Sequence, residues 1–95
     1  MMIVVARLKA KSGEEEKVEK ALRELLPKVR EEEGTLSYTL NRAQNDPSMF
    51  MVLEKYKDMD AFAYHSSTPY LQEMFGAVLP LLDGDLVVDM YDEIG

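Results

Sequence analysis

A chain of 95 residues with no composition break or low-complexity stretch reads as one domain spanning 1–95, and 46% apolar with 31% charged residues can both fill a core and solvate a surface. Its 18 acidic against 11 basic residues leave a formal charge of -7, which repels phosphate backbones and anionic lipid and argues against nucleic-acid or membrane partners. The absence of cysteine excludes disulfides, thiolate nucleophiles and sulfur-ligated metal centres.

The N-terminal MMIVVARLKAKSG has no basic segment ahead of its apolar run and no cleavage site, and nowhere does a run approach about 18 apolar residues. A cytoplasmic protein is expected. Met2 to Lys9 alternates loosely in β-branched residues, as a strand does. Glu14, Glu15 and Glu16 then open a segment with Val18, Ala21, Leu22, Leu25 and Val29 at helical spacing, ending at Gly34. Pro27 lies inside it and removes a backbone donor, so a kink is expected there.

Thr35 to Arg42 reads as a second strand with Leu36, Tyr38 and Leu40 on one face. The turn cluster Gln44 to Ser48 joins it by a hairpin to a third strand, Met49 to Lys57, on which Phe50, Val52, Glu54 and Tyr56 share a face. Asp58 caps a helix carrying Met59, Phe62 and Ala63, and Ser67, Thr68 and Pro69 begin a second one that runs to Pro80. After the Asp83–Gly84 turn, Leu86 to Tyr91 forms a last strand.

This order gives two split βαβ units: a ferredoxin-like α+β fold with a four-stranded antiparallel sheet and its helices on one face. Val4, Leu8, Met51 and Leu53 are expected to oppose Val5, Phe50 and Val52, leaving neither face polar enough for water. A monomer this short buries only about 60 to 65% of its unfolded surface. A homodimer formed through the uncovered sheet face is therefore expected.

His65 is the single histidine, so general acid–base chemistry near neutral pH is assigned to it, against the plainer reading of a surface or capping histidine. Glu54 stands among apolar neighbours on its strand, and it either takes part in catalysis or forms an ion pair with Arg7 or Arg42. Tyr38, Tyr56, Tyr70 and Phe62 could stack on a planar ligand or simply fill the core. Glu14 to Glu16 and Glu31 to Glu33 read as solvated helix ends. No metal site is expected, and no phosphate-cradling loop or nucleophile elbow is present.

VARLKAKSG, the helix ending in EEEGTLSY, the NDP turn, LEKYKD and HSSTPYLQ together resemble, in order, the antibiotic biosynthesis monooxygenase-like family, including its quinol monooxygenase-type members. The resemblance implies a dimeric α+β barrel with a pocket between sheet and helices. It also implies oxygenation of a small aromatic or hydroquinone substrate by O2 without flavin, haem or metal. On it, His65 is the proton acceptor and Glu54 its partner, with Tyr38, Tyr56, Tyr70 and Phe62 as pocket wall and Arg42 a further substrate contact. Tyr56 stands where members often carry tryptophan, and Tyr70 where they often carry a second histidine, which puts a two-base mechanism in doubt. The haem-degrading branch is disfavoured, because the chain has no tryptophan and no first-strand asparagine. KYKD and HSSTP are equally similar to a branch that isomerises a phosphorylated autoinducer-2 signal, for which Arg7, Arg42 and Lys55 are the available cations. A non-catalytic dimer that binds a small ligand is the third reading.

Overall fold

The computed structural model describes residues 1–95 and shows the expected ferredoxin-like α+β fold. The elements are β1 (Met2–Lys9), α1 (Glu15–Arg30), β2 (Thr35–Arg42), β3 (Met49–Tyr56), α2 (Met59–Ser66), α3 (Pro69–Val78) and β4 (Val87–Asp92), with a single 3-10 turn at Leu79–Leu81. All strand pairs are antiparallel, in the order β2-β3-β1-β4. No helix is long and apolar enough to cross a membrane.

Alternation in β1 and β3 places Val4, Ala6 and Leu8 beside Phe50, Val52 and Glu54, since Val4 pairs with Glu54, Ala6 with Val52 and Leu8 with Phe50. Directly opposed residues share a face. The expected grouping of Val4 and Leu8 with Met51 and Leu53 is thereby corrected. Val5 instead pairs with Leu53, and Arg7 with Met51, on the side away from the helices. Val18, Leu22, Leu25 and Val29 of α1, with Leu71, Met74 and Val78 of α3, close the core over the first face. A smaller cluster of Met2, Val4 and Tyr56 meets Ala61 and Phe62 of α2.

Two local features differ from the sequence reading. The helix α1 does carry Pro27 inside it, on an exposed position where the carbonyl that loses its donor can turn to water. It ends at Arg30 rather than Gly34, and tightened turns follow, Glu32 N–H donating to the Val29 carbonyl and Thr35 N–H to that of Glu32. In β2, Thr35 opposes Tyr56 and Ser37 opposes Lys55, so Leu36 is the extra residue of a bulge. Leu36 is consequently exposed and does not share the fate of Tyr38.

Candidate active site

The turn after α1 and the start of α2 are pressed together at Gly34. A Cβ built there would lie 2.3 Å from that of Ala61, so only glycine lets α2 sit this close. Lys57 N–H donates to the Gly34 carbonyl at 3.0 Å, and the Asp58 side chain caps α2 by accepting from Ala61 N–H at 2.9 Å. His65 occupies the last turn of α2, where the Thr68 hydroxyl donates to its carbonyl at 2.8 Å before Pro69 starts α3. The imidazole is thus aimed inward by the break between two helices.

It is 3% exposed, between the rings of Tyr38 (centroids 5.6 Å apart) and Tyr56 (5.4 Å). Nδ1 lies 3.1 and 3.2 Å from the two carboxylate oxygens of Glu32. Nε2 points to Glu54 Oε1 at 3.9 Å, a charge contact longer than a hydrogen bond. Glu54 accepts from the Tyr56 hydroxyl at 2.6 Å, and Glu32 accepts from the Thr35 hydroxyl at 3.2 Å and from the Tyr70 hydroxyl. A chain of polar groups, Tyr56–Glu54–His65–Glu32–Tyr70, therefore crosses an otherwise apolar interior.

Burial pushes the Glu54 carboxyl up to about 7; the Tyr56 hydroxyl opposes the shift and the Glu32 charge adds to it. The Tyr38 and Tyr56 phenols are driven upward by burial first and by the neighbouring carboxylates second, so both stay protonated. Tyr70 is raised to about 12, by desolvation and then by its bond to Glu32. Near neutral pH the carboxyl proton of Glu54 is the mobile one among these shifted groups.

Glu54, His65 and Tyr38 face a cavity of about 120 Å³ between sheet and helices. Its other walls are almost wholly apolar, with Phe62, Leu71 and Met74 on the helix side and Leu86 and Val88 toward β4. Val88 remains 46% exposed, so the β4 side is the least covered. No lysine or arginine lines it.

Of the residues singled out from sequence, His65, Glu54, Tyr38 and Phe62 meet at this cavity. Tyr56 and Tyr70 stand behind it and donate to the two carboxylates rather than forming its wall. Arg42 is elsewhere, ion-paired with Glu19 at 3.1 Å and stacked 4.7 Å over Phe50. Arg7 pairs with Asp89 at 2.8 Å, so neither arginine neutralises Glu54 and the expected ion pair is replaced by the tyrosine and histidine.

Glu32 is the residue that sequence reasoning missed. It is 7% exposed, not a solvated helix end like its neighbours Glu31 and Glu33. A signal was present in the spacing: Glu32 continues the buried series Val18, Leu22, Leu25 and Val29 by a further three residues.

The model of the family described as antibiotic biosynthesis monooxygenase matches residues 1–77, which takes in every element from β1 through most of α3. A Bacillus subtilis (strain 168) protein named "Putative monooxygenase YcnE" is 30% identical over 88 residues, covering 93% of each chain. A crystal structure described as an antibiotic biosynthesis monooxygenase superposes on all of both chains with a TM-score of 0.94 at 27% identity. Protein SO0527 from Shewanella oneidensis superposes with a TM-score of 0.89 at 32% identity, over 95% of this chain and 87% of that one. Fold and sequence agree, and the chain belongs to the antibiotic biosynthesis monooxygenase family.

Proposed function

We propose that this monooxygenase-family chain oxidises a small neutral hydroxy-aromatic such as a hydroquinone, with O2 and without a bound cofactor. The observation that carries this reading is the makeup of the cavity, apolar except for one phenol, a serine, and a carboxyl and imidazole side by side. Such a wall takes a flat apolar ring and offers its hydroxyl a proton acceptor. A cavity near this size suits a single ring, as an apolar cavity of about 150 Å³ accepts benzene.

His65 Nε2 takes the phenolic proton, with Glu54 facing it as the partner carboxyl, and the electron-rich anion reduces O2 directly. One oxygen atom enters at a ring or benzylic carbon and the other leaves as water. The substrate supplies all four electrons, so no external reductant is needed. The protein's share is to deprotonate, orient and shield the substrate.

The isomerase reading lacks a phosphate site. Its candidate cations, Arg7, Arg42 and Lys55, are paired with Asp89, Glu19 and Glu93 respectively, and none lines the cavity. We further propose that two copies pair through the uncovered sheet face, where Val5, Met51 and Leu53 lie between the Arg7–Asp89 and Lys55–Glu93 ion pairs.

Oxygen uptake by metal-free protein against a panel of hydroquinones and anthrones tests the activity, with boiled protein as the autoxidation control. Saturable uptake that falls about 100-fold or more in His65→Ala is expected. Uptake equal to autoxidation across the panel would refute it and leave a non-catalytic ligand-binding dimer.

A further inference from the structure

We propose that Glu32 is the positioning residue of this site, holding the imidazole proton on Nδ1 so that Nε2 is presented bare to Glu54 and the cavity. The assignment rests on the proposed role of His65 as base and explains what makes that role possible. Glu32 does not line the cavity, so it acts only through the ring.

The donor and acceptor inventory carries the argument. The Thr35 hydroxyl donates to Oε1 of Glu32 and the Tyr70 hydroxyl to Oε2, so each oxygen already serves as an acceptor. Nδ1 lies within hydrogen-bond reach of both, and a nitrogen facing two acceptors is the one that carries the proton. A neutral imidazole has a single N–H, which leaves the lone pair on Nε2. That atom is directed at the Glu54 carboxyl from 3.9 Å, a gap across which a substrate hydroxyl can reach either group.

The surroundings make the arrangement rigid. Glu32 is held by backbone bonds of the turn after α1 and by side chains from β2 and α3. His65 is held by α2 and by the rings of Tyr38 and Tyr56. When the ring takes a proton from substrate, the charge on Nδ1–H is met by a carboxylate already in place. A second carboxyl, Glu54, faces the other nitrogen.

A chain with one histidine makes the test direct, because a single imidazole contributes to the ring-nitrogen spectrum. In 15N-labelled wild-type protein without ligand, the neutral ring should show a protonated Nδ1 and a lone-pair Nε2. In E32L the proton should move to Nε2, while T35V, which leaves the ring untouched, should keep it on Nδ1. A wild-type ring protonated on Nε2, or an unchanged proton position in folded E32L, overturns the proposal. The wild-type spectrum decides even if E32L does not fold, and it needs no substrate, so it stands or falls apart from the oxygenase reading. Where oxygen uptake is measurable, E32L should lower kcat by about 10-fold or more with KM nearly unchanged. An equal kcat would count against the positioning role.

Discussion

Glu54 occupies a β3 position that alternation reserves for the core, flanked on its own face by Val52 and Tyr56. Its carboxyl, raised from 4.5 to about 7, links the site to stability. Below pH 4.5 folded and unfolded chains both hold the proton, and the favourable contribution is complete. As pH rises the unfolded chain ionises first, and folding loses stability until Glu54 itself ionises near 7. A shift of this size corresponds to a loss on the order of 3 kcal/mol. Glu54→Gln should therefore gain on wild type between pH 5 and pH 8, by on the order of 2 kcal/mol in urea unfolding. The same difference at both pH values would show that burial does not favour the protonated acid. At this scale the sequence marked His65 as the single histidine and Glu54 as a carboxylate among apolar neighbours on its strand. Glu32 was masked by standing in a run of three identical residues.

Among the elements, the contact between the turn after α1 and the helix α2 brings Glu32 to His65. Gly34 is there for closeness and not for an unusual backbone angle, since only Gly13 and Gly84 have positive φ. Gly34→Ala should cost about 1 to 3 kcal/mol in urea unfolding through the clash with Ala61. Ala61→Gly in the same chain should recover part of that loss. Additive losses in the double variant would show that the two positions do not meet. Helix and strand periodicities were legible, including a helix that carries on through Pro27, whereas the Leu36 bulge was not. A bulge depends on the partner strand, and a proline's cost depends on whether the freed carbonyl reaches water.

For the whole molecule, the sheet carries helices on one side and an apolar strip on the other, with Leu53 41% and Tyr91 51% exposed. In the proposed dimer, burial of this strip against a second copy would supply what a small core cannot. Leu53→Glu places a charge at the centre of the proposed interface and should convert a dimer to monomer in light scattering at micromolar concentration. A wild-type monomer under those conditions, or a dimer unaffected by the substitution, would place any interface elsewhere.

What the sequence alone determined was whatever each segment states about itself: the order of elements, the apolar stripe of each, the cap at Asp58, the helix start at Pro69, and the scarcity of ligating residues. These follow from periodicity along one axis and from composition. Only the tertiary structure decided which polar groups meet. Arg7 and Arg42 turned to Asp89 and Glu19, and His65 met a carboxylate 33 residues earlier in the chain. Pairing between distant residues is set by how elements pack and by the cost of leaving a buried polar group alone. Neither is written into the local pattern of any one segment.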